Sequence, residues 1–346
     1  MPAETKAFFP PPRMKTSRLL TGTILVSAFC ATSVLAADAS ANAATVGFIP
    51  KLDTDPYFAV AKLGAEEAQK EIGGKLIQEA PSNATGDAQI EFINNLVSEK
   101  VNVIAIAGND PNAVAPALKR ARAQGVRVIS YDSDVAKSAR VIFVNQVNSD
   151  SVAQQMLESM GNLIDHHGEF AILSSTPTAT NQNAWIDFMK KRLGSDSKFA
   201  NMKLVQVAYG EESEQVNQQQ ALALVQAFPN LKGIIIPAGI GLPAAARALE
   251  QAGLLKKVKL TGLAPASLMK KYILDGSAQD IWWNVQDLGY LTYYAAQACA
   301  QGKITGKKGE TFAAGRLGNY TIGEDGEVVL GPAVIVTPEN VGKFKF

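Results

Sequence analysis

"VIAIAGNDPNAVAPALKRARAQGVRVIS", Val103 to Ser130, decides the architecture. An apolar run too short for a helix ends at Gly108 and gives way to a polar loop. An Ala-rich amphipathic stretch follows, stops at Gly125, and leads into a second apolar run. Near-continuous apolar strands are those buried on both faces, and strand–helix–strand repeats build parallel sheets covered by helices. The same alternation extends outward. Before it stand "TVGFIP", "YFAVAKLGAEEAQKEI", "KLIQEA" and "AQIEFINNLVSE". After it stand "VIFVNQ" (Val141 to Gln146), "SVAQQMLESMGNLI", "FAILSS", "MKLVQVAYG", "KGIIIPAG" and "KVKLTGLA". Pro116 falls where only the first turns of a helix tolerate it.

The pattern also repeats internally. "GIIIPAGIGLPAAARALEQAGLLKKVKLTG", Gly233 to Gly262, has the plan of the opening stretch, with Gly253 standing about 128 residues after Gly125. Two related doubly wound α/β lobes are therefore expected rather than one large domain. The segment Gly276 to Gly302 reads as one more strand and helix, and the Gly-rich remainder as short hairpins or crossings.

The first residues read as a targeting device. Lys15 and Arg18 precede an apolar run from Leu19 to Leu35, and Val34-Leu35-Ala36 forms a small-residue exit. This is the pattern of a cleavable secretory signal peptide over residues 1–36, with Met1 to Arg13 as an upstream extension. The run is shorter than the roughly 20 apolar residues of a membrane span. Phe29 before Cys30 does not suit lipidation. Removing Lys6, Arg13, Lys15, Arg18 and Glu4 from 33 basic and 32 acidic residues leaves a net charge of about −2. That balance argues against nucleic acid or an anionic membrane surface as partner. Cys299 then stands alone in an apolar helix, where a buried thiol is expected.

In open α/β sheets, ligands lie beyond the carboxyl ends of the strands. The residues there are Lys51, Asp53, Asp55, Tyr57 and Phe58; Asn109 and Asp110; and Asp132, Ser133 and Asp134. In the second half they are Asn181, Gln182, Asn183 and Trp185; Pro237, Ala238 and Gly239; and Trp282, Trp283 and Asn284. Carboxylates and amides exchange hydrogen bonds with hydroxyls, aromatic faces cover C–H patches, and an ammonium donates to a hydroxyl or carbonyl oxygen. The set suits a small polyhydroxylated molecule. Each member also has a structural reading: Asp55-Pro56 starts a helix, Asp132 and Asp134 suit turns, Asn181 suits a cap, and either tryptophan can be packing. There is no dinucleotide fingerprint, P-loop, nucleophile elbow or zinc-protease motif, and His166-His167 suit a surface turn. A binding protein is expected, with no catalytic residues, no metal and no cofactor.

The motifs "FIPKL", "APALKRARAQGVRVISYDSD", "SSTPTATNQNAW" and "LPAAARA", in this order, resemble the type I periplasmic substrate-binding proteins of bacterial ABC importers. The resemblance runs from about Thr45 to the terminal "PENVGKFKF" and is close to the autoinducer-2-binding and rhamnose-binding branch. It implies two lobes joined by a three-strand hinge. The first spans residues 45–146 with about 285–302, the second residues 147–279, and residues 303–346 form a C-terminal crossing segment. The hinge is expected near Gln146, Asn284 and "LGNYTIG" (Leu317 to Gly323). The family's ligand-binding lysine falls on Lys51, its strand-end aspartate on Asp132, its Asp-Gln pair on Asn181 and Gln182, and its Pro-x-Ala turn on Pro237 and Gly239. Its closing aromatic pair matches Tyr57 and Phe58, and Trp283 joins the expected ligand contacts. Asn181 and Gly239 depart from the autoinducer-2 pattern, the first by losing a negative charge and the second by losing a methyl. The implied role is delivery of a small sugar, a rhamnose-like deoxyhexose or pentose, from the periplasm to an inner-membrane ABC permease by a monomeric protein. Uptake or sensing of autoinducer-2 is the alternative; an enzyme on the same scaffold lacks a catalytic set.

Overall fold

The computed structural model describes residues 43–344, so the expected signal peptide lies outside the described residues. From Thr45 the chain alternates β1 (Thr45–Ile49), α1 (Pro56–Ile72), β2 (Lys75–Gln78), α2 (Gly86–Ser98), β3 (Val103–Ile106), α3 (Pro111–Ala123), β4 (Arg127–Tyr131) and β5 (Phe143–Asn145). It continues through α4 (Ser149–Leu163), β6 (Gly168–Ser174), α5 (Thr180–Ser195), β7 (Met202–Tyr209), α6 (Glu214–Ala227), β8 (Leu231–Ile236), α7 (Gly241–Gln251) and β9 (Lys259–Gly262). Then come α8 (Ala266–Leu274), β10 (Ala278–Trp282), α9 (Val285–Ala300), β11 (Thr311–Ala313), β12 (Asn319–Thr321), β13 (Glu327–Val329) and β14 (Val334–Val336).

Two six-stranded sheets form, ordered β13-β5-β4-β3-β1-β2 and β14-β10-β9-β8-β6-β7. All pairs within them are parallel except β10 with β14. These are the two doubly wound lobes that the repeated strand–helix plan implies. Every residue of β3 is buried, as its unbroken apolar run requires for a central strand. Helix starts follow local chemistry: Asp110 Oδ1 accepts from the backbone N–H groups of Asn112 and Ala113 at 2.8 and 3.0 Å, and Pro111 opens α3. Pro116 lies in the second turn, and α3 continues through it to Ala123.

The chain passes between the sheets three times: after β5 through Gln146, after β10 through Trp283 and Asn284, and after β13 through residues 330–333. The third passage differs from the expected one. "LGNYTIG" instead forms β12, paired antiparallel with β11 in a small hairpin. The chain leaves the first lobe only after β13 has added to its edge. On its return, α9 packs along α1 and over the first sheet. Two glycines permit that approach. A Cβ on Gly64 would lie 1.7 Å from the Gln286 carbonyl oxygen, and one on Gly289 would lie 1.7 Å from that of Ala61. The helix backbones therefore touch, which fixes the frame behind the N-terminus of α1.

Candidate functional site

The carboxyl ends of both sheets face one cavity. From the first lobe it is lined by Lys51, Asp55, Tyr57, Phe58 and Asp132. From the second lobe and the middle crossing come Asn181, Gln182, Trp185, Glu212, Pro237, Gly239 and Trp283, among others. All nine residues singled out as ligand contacts (Lys51, Tyr57, Phe58, Asp132, Asn181, Gln182, Pro237, Gly239 and Trp283) are brought together there.

Lys51 leaves the end of β1 on a loop held from beneath. Gln89 Nε2 donates to the carbonyls of Pro50 and Ala107, Gln89 Oε1 accepts from Asn109 N–H, and Asn109 Nδ2 donates to the Lys51 carbonyl at 2.9 Å. These bonds tie the ends of β1 and β3 together and fix the direction of a lysine only 5% exposed. Its ammonium lies 3.9 Å from Asp132 Oδ2 and donates to Asn181 Oδ1 at 3.4 Å. Asp132 has a φ of +59°, a left-handed conformation that a non-glycine residue adopts only when its surroundings impose it. That backbone turn delivers a buried carboxylate to the cavity, where Tyr57 Oη donates to its Oδ1 at 2.8 Å. Trp283 Nε1 in turn donates to Tyr57 Oη at 3.1 Å. A hydrogen-bonded chain thus runs from the middle crossing to the end of β4.

Opposite, Asn181 and Gln182 open α5. Gln182 Oε1 accepts from Ser174 Oγ and from Ser175 N–H, both at 2.7 Å, which leaves its Nε2 for the cavity. Asn181 Nδ2 reaches Asp132 Oδ2 at 3.5 Å, so its amide spans both lobes as donor and acceptor. Outside the cavity the lobes also bond directly. Thr178 Oγ1 donates to the Asn109 carbonyl at 2.9 Å, Thr180 Oγ1 donates to that of Asp134 at 3.0 Å, and the Ser133 and Thr180 hydroxyls stand 3.0 Å apart.

Three buried carboxyl groups, those of Asp55, Asp132 and Glu212, surround one ammonium. Burial raises the pKa of Asp132, against the lowering effects of Lys51 and the Tyr57 hydrogen bond. Asp55 is pushed up to about 7, first by burial and then by the charge of Glu212. Burial likewise raises Glu212. Aromatic rings fill one side: Tyr57 meets Phe58 and Trp283 edge-on at 5.1 and 6.4 Å, and Trp185 meets Trp283 at 6.1 Å. An adjoining apolar pocket shares Tyr57, Gly239, Leu263 and Trp283 with the cavity and adds Val60, Pro265, Ile281 and Trp282.

Other candidates have structural roles. Asp134 holds Arg140 through both carboxylate oxygens at 2.6 and 2.7 Å, and Asp110 caps α3. Asp55 does both: it caps α1 by accepting from Tyr57 N–H at 2.9 Å and lines the cavity. Of the two tryptophans, Trp283 enters the cavity, while Trp282 packs on Phe344 with ring centroids 4.8 Å apart. Glu212 and Leu263 escaped the sequence reading. Both follow strand ends, β7 and β9, so the rule that found the others reaches them too; "GEESEQ" reads as a solvated turn, and Leu263 carries no polar group. Among the described residues no His, Cys, Asp or Glu cluster suits a metal ion. Cys299 is buried, which pushes its thiol up to about 12. The set can hold hydroxyls and cover apolar ring faces, and it presents no nucleophile beside a base.

Residues 46–304 match the family described as "periplasmic binding protein domain". A solute-binding protein of an ABC transporter from Clostridium phytofermentas, solved with bound L-rhamnose, is 38% identical with a TM-score of 0.84, over 87% of this chain and 98% of that one. LsrB from Clostridium saccharobutylicum in complex with AI-2 (autoinducer-2) is 27% identical with a TM-score of 0.81, over 87% of this chain and all of the other. The D-ribose/D-allose-binding protein of Pseudomonas aeruginosa is 25% identical over 280 residues, 76% of this chain and 84% of its own length.

Proposed function

This chain belongs to the periplasmic binding protein family as a solute-binding protein of a sugar ABC transporter, and from that premise we propose that its cleft captures a neutral deoxyhexose such as L-rhamnose, or a pentose, in the periplasm. The nine cavity residues are its ligand contacts. The observation that carries this reading is a buried, two-walled cavity of carboxylates, amides and one ammonium flanked by tyrosine and tryptophan rings. Hydroxyls exchange hydrogen bonds with the polar groups, and the rings cover the C–H face of a pyranose. The adjoining apolar pocket suits a deoxy-sugar methyl. The likeness to the L-rhamnose-bound protein supports the same choice.

Both walls contact a bound sugar only when the lobes are closed, so ligand favours the closed form. That form is then recognised by the permease, with a single copy of the chain sufficient. Autoinducer-2 is the second reading, favoured by the likeness to LsrB. Asn181 replaces an aspartate of the autoinducer-2 pattern, and Gly239 leaves its nearest non-neighbouring atoms 3.8 Å and 4.0 Å from where a Cβ would stand. A thermal-shift panel of L-rhamnose, D-arabinose, D-ribose, D-allose and autoinducer-2 separates the two, because a ligand held only by the folded state raises the melting temperature. A rise with autoinducer-2 alone replaces the first reading by the second, and no rise with any member removes both.

A further inference from the structure

Polar atoms of two cavity-lining side chains on the second-lobe wall have no hydrogen-bond partner among the described residues. Glu212 lines the cavity from the turn after β7, and its Oε2 is buried without a hydrogen-bond partner among the described residues. The Ser175 hydroxyl, also buried without another partner among the described residues, lies beside that carboxylate and favours its ionised form. Trp185, 1% exposed, lines the same cavity, and its Nε1 is also buried without a partner among the described residues. Buried polar atoms are almost always paired, so an acceptor and a donor without a protein bond, both on side chains that line one cavity, point to a ligand. The turn that carries Glu212 is itself held out of the ordinary backbone range, with φ of +53° at Glu211 and +50° at Glu212. Two consecutive left-handed non-glycine residues mark an imposed conformation, of the kind that gathers at binding sites.

We propose that Glu212 and Trp185 are specificity-determining contacts: Glu212 Oε2 accepts from, and Trp185 Nε1–H donates to, hydroxyl groups of the bound sugar. This rests on the sugar-binding reading of the same cleft. The charge balance extends it to a class of ligand. With the carboxyl groups of Asp55, Asp132 and Glu212 facing one ammonium, the cleft has no surplus positive charge for a sugar acid or sugar phosphate and suits a neutral polyol. Glu212 has only the Ser175 hydroxyl beside it. Asp132 accepts from Tyr57 and Asp55 caps α1.

The experiment compares the wild type with Glu212→Gln, which keeps side-chain size and removes the acidic group, and Trp185→Phe, which removes the N–H together with part of a buried ring. L-Rhamnose, D-arabinose and their aldonates are titrated by calorimetry, and melting temperature is measured without sugar. Each substitution is expected to weaken the better neutral sugar about tenfold. The sugar-free melting temperature should stay level for Glu212→Gln and fall for Trp185→Phe, whose smaller ring leaves a cavity beside Trp283. Glu212→Gln should also narrow the preference for the neutral sugar over its aldonate. Unchanged affinity in both variants, with wild-type protein binding the sugar, overturns this proposal and leaves the sugar-binding reading standing. A fall in melting temperature for Glu212→Gln as well as Trp185→Phe, with unchanged affinity in both, assigns both side chains to the core and overturns it equally. Failure of the wild type to bind these or any other sugar of the panel removes the sugar-binding reading and this inference with it.

Discussion

Asp55→Asn isolates the electrostatic load that the cleft carries. Asparagine caps helices as well as aspartate does, so the bond from Tyr57 N–H and the start of α1 survive the change. What disappears is a carboxyl group whose pKa lies near 7 in the folded protein rather than the ordinary 3.8. Because the folded state holds this proton more tightly than the unfolded chain, stability falls as pH rises between those two values and is level outside them. At about 1.4 kcal/mol per pH unit, the two units from pH 5 to pH 7 remove roughly 2–3 kcal/mol from the wild type through this group alone. The carboxamide of the variant does not titrate, so the variant gains that amount relative to wild type between pH 5 and pH 8. Urea unfolding at pH 5, 6, 7 and 8, followed by tryptophan fluorescence, measures the difference. Parallel pH profiles for the two proteins would refute the reasoning, since they would place Asp55 in an ordinary ionised state.

Three other substitutions probe the geometry. Asp132→Ala removes the acceptor for Tyr57 Oη and the counter-charge to Lys51, and sugar affinity should fall at least a hundredfold by calorimetry. Gly289→Ala places a methyl 1.7 Å from the Ala61 carbonyl oxygen, so α9 must shift from α1, and chemical unfolding should show a loss of about 2 kcal/mol or more. Gly239→Ala, with its nearest contacts at 3.8 and 4.0 Å, should fold with unchanged stability, while thermal shifts report how much the smaller cleft disfavours each sugar.

Much of the fold was legible because strand and helix signals here are local. Runs such as "VIAIA" and "GIIIP" carry their burial in their composition, and Asp110-Pro111 and Asp55-Pro56 mark helix starts by their own hydrogen-bonding chemistry. The third passage between lobes was not legible. β12 and β13 are each three residues long, and what distinguishes them is pairing, one with β11 and the other with β5 across a long stretch of chain. Within the site, residues at strand ends announced themselves when they were polar and preceded a helix, as Lys51, Asp132 and Asn181 do. Glu212 sits in an acidic turn indistinguishable by composition from a solvated one, and only the fold turns it inward. The double duty of Asp55 is similar: its capping role is written in Asp-Pro, but its pKa depends on Glu212, 157 residues away in sequence and on the other wall.

The central claim is that the cleft holds a small neutral sugar through both walls. Calorimetric titration of the purified protein with L-rhamnose, alongside Lys51→Ala and Asn181→Ala, tests it most directly, since one residue belongs to each lobe. The wild type should show one saturable site, and both variants a severe loss of affinity. Absence of binding by L-rhamnose and by the other sugars of the panel, or binding that survives loss of either side chain, would contradict it.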